Sequence, residues 1–190
     1  MKQRTLLEPL VFVVLVASCA AARILLRDLP NFAPVAAVAL FSGYFFRSAR
    51  VAVCVPLTAM VLSDLVIGGY QWQMMLLVYA MLALPVAARG WLRNQWNLGH
   101  ASGSAWRPLA GLISCSLISS VLFFVVTNFG CWLWFNMYEP SANGLLNCYV
   151  QALPFFRYTL AGDLVFACVL FGSYSLAFRW ALIPSPAAQA

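Results

Sequence analysis

Residues 109–134 contain no charged side chain, and this stretch limits the possible fold more than any other feature of the chain. About 20 consecutive apolar residues are enough to cross the hydrocarbon core of a bilayer as a helix. The rest of the 190-residue chain has the same character, with 64% hydrophobic and 8% charged residues. Because a soluble domain carries about a quarter charged residues, we predict an integral membrane protein.

Six apolar segments predict six transmembrane helices. They cover residues 9–26, 33–47, 51–68, 72–92, 109–134 and 158–182. The stretch 141–156 is too short and too polar to cross, so we expect an interfacial or re-entrant helix that begins at Ser141 or Asn143 and ends at Pro154. The predicted fold is an all-α membrane protein with one six-helix domain over 1–183 and a disordered tail over 184–190. A cleaved signal peptide at the N-terminus is the weaker alternative, since every later segment is also membrane-like.

The basic residues predict the orientation, because Lys and Arg stay preferentially on the cytoplasmic side. With the N-terminus inside, the cytoplasmic set is Lys2, Arg4, Arg47, Arg50, Arg89, Arg93, Arg107 and Arg179. Only Arg23, Arg27 and Arg157 fall on the other side. Both termini are therefore expected in the cytoplasm. The basic residues form no continuous stripe, so the sequence does not predict nucleic-acid binding.

Four of the five acidic residues fall at outer helix ends or in outer loops in this orientation: Asp28, Asp64, Glu139 and Asp163. Charged groups at membrane depth are costly unless they are paired or hydrated. Asp64 and Asp163 could pair with Arg23, Arg27 or Arg157. Two interpretations stay open, namely ion pairs that fix helix ends and a polar ring around an outward-open pocket.

Polar groups near the outer side form the candidate binding set. In the motif at 30–34, two prolines restrict the backbone around Asn31, which suits either a helix-starting turn or the rigid rim of a pocket. Asn128, Tyr79 and Tyr149 suit either ligand binding or hydrogen bonds between helices. The predicted substrate-binding residues are Asn31, Asp64, Tyr70, Asn128, Tyr149, Arg157 and Asp163.

Motifs for enzymes, cofactors and metals are missing. The chain has no HExxH, GxSxG or phosphate-cradling loop and a single histidine, His100. A membrane enzyme would need Asp64 and Asp163 to face each other across a shared cavity. The six cysteines form no CxxC, and only Cys131 and Cys148, which flank one loop, are candidates for a disulfide or a ligand role. We predict a protein that is not an enzyme and has no cofactor or metal.

Four stretches carry a family resemblance: "LPNFAPVAAVALFSGYFF", "PLTAMVLSDLVIG", "VLFFVVTNFGCWL" and "NCYVQALPFFRYTLAGDLVFACVLFG". They resemble an uncharacterised family of bacterial membrane proteins described as transport proteins, over about residues 17–172. That family is in turn similar to the S components, the substrate-binding subunits, of energy-coupling factor (ECF) vitamin transporters.

The resemblance implies six helices and outer loops 30–34, 64–70 and 136–157 that close over a vitamin-like substrate. Ala17 and Ala21 would form the face that meets the ECF coupling subunit, and separate ATPases would supply energy unless the protein acts alone. Cobalamin is the first guess for the substrate. The alternative is a structural scaffold of the cell-envelope or rod-shape machinery, similar to proteins of the MreD type.

Overall fold

The computed structural model describes residues 2–96 and 106–180, and in these two ranges the chain is helical with no strand. The helices are α1 Lys2–Leu25, α2 Val35–Phe45, α3 Ala49–Ile67, α4 Trp72–Ala83, α5 Arg89–Gln95, α6 Trp106–Trp134 and α7 Ala142–Arg179. A 3-10 turn, Leu84–Ala88, joins α4 to α5. His100 and the predicted tail at 184–190 lie outside the described residues.

Five spans are long and apolar enough to cross a membrane: Leu7–Leu25, Ala49–Ile67, Trp72–Gln95, Pro108–Trp134 and Ala142–Arg179. The prediction of a helical, multi-pass membrane protein is confirmed. The span Trp72–Gln95 combines α4, the 3-10 turn and α5. The turn interrupts the α-helix at Pro85, because proline cannot donate a helical hydrogen bond.

The second predicted span is much shorter than expected. Helix α2 has 11 residues, or about 16 Å, and so covers roughly half of the hydrocarbon core. All of its residues are buried inside the bundle. The prediction of six transmembrane helices is therefore corrected to five long spans and one short central helix. Hydropathy did not reveal this, since a helix surrounded by protein and one surrounded by lipid are both apolar.

Two arginines stabilise the end of α2 inside the bundle. Arg93 donates from Nε to the Tyr44 carbonyl at 2.9 Å and from Nη2 to the Phe46 carbonyl at 2.5 Å. Arg89 donates to the carbonyls of Phe46, at 3.2 Å, and Arg47. The last carbonyls of a helix lack partners within it and carry partial negative charge. Arg89 and Arg93, predicted only as topology markers, thus cap α2.

A single 38-residue helix, α7, replaces two predicted elements. The prediction of a separate interfacial helix at 141–156, ended by Pro154, is wrong, because Pro154 lies inside α7. A proline removes one N–H and kinks a helix, but membrane helices tolerate it when neighbouring groups satisfy the backbone. The predicted cap at Ser141 is confirmed, since its hydroxyl accepts from the Gly144 N–H at 3.1 Å. At about 57 Å, α7 exceeds the hydrocarbon thickness and must tilt or extend past it.

Side-chain contacts place the start of α1 and the end of α7 at the same end of the bundle. The rings of Phe12 and Phe46 lie 6.4 Å apart, and Trp96 Nε1 donates to Ser175 Oγ at 3.3 Å. Five arginines lie at this end, which we call the basic face: Arg47, Arg50, Arg89, Arg93 and Arg179. The end of α1, the end of α3 and the start of α4 lie at the opposite face.

Candidate functional site

A cavity of about 510 Å³ lies in the half of the bundle away from the basic face. Its lining comes from the end of α1, the loop 26–34, the start of α2, and from α3, α4, α6 and α7. Exposed lining residues such as Arg27, Asn31 and Tyr70 mark its mouth, and Ser119 and Asp163 mark its deep end. Its volume falls in the range of about 300–1,000 Å³ that is typical of small-molecule sites.

One face of α6 forms a long wall of the cavity. Ser119, Phe123, Thr127 and Cys131 recur every four residues and therefore line one side of the helix. Asn128 also lines the cavity, and its Nδ2 donates to the Phe124 carbonyl of the same helix at 2.7 Å. The side chain of Asn128 thus bonds within its own helix, and the hydrogen bond to another helix that was the alternative to ligand binding is not among its described contacts.

The adjacent wall comes from α7 at helical spacing, through residues Ala152, Phe155, Thr159 and Asp163. Asp163 stands 21 positions after Ala142, far inside the helix. The prediction that it lies near an outer helix end is wrong, because that prediction depended on a helix that began at residue 158. Its partner Ser120 is the middle residue of α6, which places the carboxyl near mid-depth of that helix.

The Asp163 carboxyl is 5% exposed, and its oxygen Oδ2 accepts a hydrogen bond from Ser120 Oγ at 2.5 Å. Among the described residues, 2–96 and 106–180, no basic side chain forms an ion pair with Asp163. A charged carboxylate at this depth is costly unless it is compensated. Asp163 is therefore a buried acidic group on the wall of a cavity, with one neutral partner.

Asp64 has a different environment. Its Oδ1 lies 2.9 Å from Arg23 Nη1, and its Oδ2 accepts from the Tyr79 hydroxyl at 2.7 Å. The same Arg23 nitrogen donates to Ser63 Oγ and, at 3.4 Å, to the Met60 carbonyl. The cluster ties α1, α3 and α4 together, so the predicted Arg23–Asp64 ion pair is confirmed.

The loop 26–34 covers the cavity from one side and is held against α7. Gly162 makes this contact possible, because a Cβ there would lie 3.3 Å from the Ala33 nitrogen and 3.3 Å from Phe32 Cδ2. The Phe32 ring also packs on Phe166 at 5.4 Å between centroids. Asn31 has a φ of 61°, in the left-handed region that asparagine adopts more readily than most residues. The loop therefore packs closely against α7 and forms one wall of the cavity, with Asn31 at its exposed turn.

Tyr70 follows the end of α3 and lines the mouth of the cavity. Loss of solvent around the phenol and the nearby Asp64 carboxylate raise the pKa of Tyr70 to about 12. Its hydroxyl therefore stays protonated at neutral pH and can donate a hydrogen bond to a ligand.

A family model described as "Family of unknown function (DUF6580)" matches residues 3–186. The chain belongs to this family. No curated protein and no solved structure matches the chain. Membership in DUF6580 thus assigns no activity, and the cavity geometry is the basis for a functional argument.

Four of the seven predicted binding residues of this DUF6580 chain line the cavity: Asn31, Tyr70, Asn128 and Asp163. Asp64 is buried in the cluster behind it and does not line it. Asp64 and Asp163 therefore do not face each other across the cavity, as a carboxylate pair for catalysis would require.

Tyr149 and Arg157 also do not line the cavity. The Tyr149 hydroxyl donates to the Val125 carbonyl at 2.8 Å, which is the interhelical bond that was the alternative to ligand binding. Arg157 is exposed, and its guanidinium lies 4.9 Å from the centre of the Tyr158 ring. Both residues stabilise the outer part of α7 rather than contact a ligand in the cavity.

Sequence reasoning missed Ser120 and Phe32 as parts of the site. The four-residue repeat of Ser, Phe, Thr and Cys along α6 was a usable signal for the wall, but Ser120 lies one position beside it. Cys131 lines the cavity, Cys148 is buried with its thiol on the Asn128 carbonyl at 3.4 Å, and both are free thiols.

Proposed function

We propose that this DUF6580 protein captures a small, vitamin-like nutrient in the cavity and takes part in its uptake. The observation that carries this proposal is the cavity of about 510 Å³, whose largely apolar lining includes a few polar groups. Ligand sites for small molecules have this composition, in which apolar walls supply affinity and a few polar groups fix the orientation. The chemistry proposed is binding and not catalysis.

The volume bears on the choice of vitamin. Cobalamin combines a corrin ring with a nucleotide loop and is several times larger than the one- to three-ring vitamins. A cavity of about 510 Å³ favours the smaller compounds. Thiamine, biotin and riboflavin are therefore better first candidates than cobalamin.

The proposed orientation places the basic face in the bacterial cytoplasm and the cavity mouth on the outer side of the inner membrane. Five described arginines at the basic face support it through the positive-inside rule. Both termini would then be cytoplasmic, and the substrate would enter from outside.

The face of α1 that carries Ala17 and Ala21 is exposed, whereas Cys19 and Ala20 on the same helix are buried. Small residues let a second helix approach closely within a membrane. This face suits the coupling subunit of an ECF-type complex, whose ATPases would supply the energy. Without such a partner, the protein would act alone as a facilitator.

The test is to purify the protein from its native membrane, to identify co-purified small molecules by mass spectrometry, and to titrate thiamine, riboflavin and biotin by calorimetry. We expect one vitamin-sized compound to co-purify and a deletion strain to lose its uptake. Absence of any bound compound, together with normal uptake in the deletion strain, would refute the proposal.

The same exposed face of α1 supports one alternative, a structural scaffold for the cell-envelope or rod-shape machinery. A scaffold would use Ala17 and Ala21 to bind a partner helix and would not need the cavity. Altered cell shape in the deletion strain, with uptake intact, would favour the scaffold. Lost uptake with normal shape would favour the transport role.

A further inference from the structure

The charge distribution around the cavity narrows the class of ligand. Of the acidic groups beside it, Asp64 is neutralised by Arg23 and bonded by Tyr79. Asp163 has only the Ser120 hydroxyl among the described side chains. The deep end of the cavity therefore carries an acidic group whose charge no side chain of the described chain balances.

The cationic groups that line the cavity lie elsewhere. Arg23 is bound to Asp64, and Arg27 is an exposed residue close to the end of α1. Ser120, the partner of Asp163, is near mid-depth of α6, whereas Arg27 follows the last residue of α1. In the part of the chain that the structure describes, neither arginine forms an ion pair or a hydrogen bond with Asp163.

Four aromatic side chains also line the cavity, namely Phe32, Phe123, Phe124 and Phe155. The face of an aromatic ring attracts a cation, more strongly when water is excluded. A carboxylate and aromatic rings in the lining of one small cavity favour an organic cation as the ligand, because the ion pair, the hydrogen bond and the rings all attract positive charge.

We infer that the ligand of the cavity carries a positively charged organic nitrogen, and that this nitrogen binds the Asp163 carboxylate beside Ser120 at the deep end. The inference rests on the proposed binding function and specifies its substrate class. Ser120 orients the carboxylate through Oδ2 and leaves Oδ1 for the ligand. The cation then compensates the buried charge when it binds.

The test uses two probe series in which size is similar and charge differs. Benzylamine, benzyl alcohol and benzoate are a cation, a neutral compound and an anion at neutral pH. Thiamine, riboflavin and biotin repeat the comparison at vitamin size. Binding to the purified full-length protein is measured by calorimetry and by ligand-induced thermal stabilisation.

We expect the cation of each series to bind at least tenfold more tightly than its neutral and anionic counterparts. Asp163→Asn keeps the side-chain shape and should weaken cation binding about tenfold to a hundredfold, as expected when a hydrogen bond to a charged group is lost. Asp28→Asn is the matched control, since it removes one negative charge at an exposed position outside the cavity lining. It should change binding less than twofold.

Asp163→Glu keeps the charge and provides a second variant should Asp163→Asn fail to fold. It should retain the preference for cations over neutral compounds. Equal binding of cation and neutral probe, binding unchanged in Asp163→Asn, or no binding of any probe would each overturn the inference. A neutral or anionic compound that co-purifies would overturn it as well, while the proposed uptake function would stand.

Discussion

Two buried aspartates of this protein lie in opposite environments. Asp64 is held by Arg23 and Tyr79 in a cluster that links three helices, and it does not reach the cavity. Asp163 lines the cavity and has Ser120 as its partner. Asp64 thus has a counter-charge within the bundle, whereas the partner of Asp163 is a neutral hydroxyl.

The largest loss of stability is expected when Asp64 is removed from its cluster with Arg23 and Tyr79. Asp64→Ala leaves the partly buried Arg23 without its counter-charge, and breaking a buried ion pair from one side costs about 3 kcal/mol. We expect a clear loss of thermal stability in detergent. The double variant Arg23→Ala/Asp64→Ala should lose less than the sum of the two single variants, and strict additivity would show that the pair is not coupled.

A second prediction concerns the loop beside Asp163. Gly162→Val would push the backbone at Phe32 and Ala33 away from α7, and such overpacking costs about 1–3 kcal/mol. Ligand affinity should fall too, because the loop is a wall of the cavity. Gly172→Val is the matched control on the same helix, since a Cβ there meets nothing within 4 Å. Equal stability of the two variants would contradict the close contact.

Tyr79→Phe tests the Asp64 cluster by removing one hydrogen bond to its carboxylate. The ion pair with Arg23 remains, so the expected loss is about 1.5 kcal/mol, the lower range for a hydrogen bond to a charged group. Chemical or thermal unfolding measures this loss. Binding of cationic probes should stay within twofold of wild type, and a larger change would extend the functional site to the cluster.

Two substitutions of Asn31 distinguish the role of its backbone conformation from the role of its side chain. Asn31→Ala should destabilise the loop by about 1 kcal/mol, since alanine is unfavourable at a positive φ. Asn31→Gly accepts this φ and should leave stability unchanged. Lost ligand binding in Asn31→Gly would identify the amide as a ligand contact, whereas retained binding would make residues 30–34 a structural turn.

A smaller effect on stability than that of Asp64→Ala is expected for Asp163→Asn. The amide can keep the hydrogen bond to Ser120 while a buried charge is removed, so unfolding free energy should stay within about 1 kcal/mol of wild type. This variant is the direct counterpart of Asp64→Ala. A loss as large as that of Asp64→Ala would end the distinction between the two aspartates.

Sequence reasoning predicted the class of fold and part of the site. The scarcity of charged residues and the length of the apolar segments were sufficient to predict a helical membrane protein. The cost of a buried charge predicted an ion pair as one of two interpretations of Asp64, with Arg23 as one of three possible partners. The depth of Asp163 was not predictable, because Pro154 suggested a helix end and hydrogen-bond satisfaction around a proline depends on neighbouring helices. The length of α2 was hidden for a similar reason, since Arg89 and Arg93 cap it from a distant part of the chain.

The short helix α2 has a consequence for the origin of the binding volume. A helix that crosses the hydrocarbon core is about 30 Å long, and α2 supplies about 16 Å, measured from the basic face. Its first residues and the loop before it line the cavity. The cavity thus occupies the place in the bundle that the missing turns of a full-length second helix would fill.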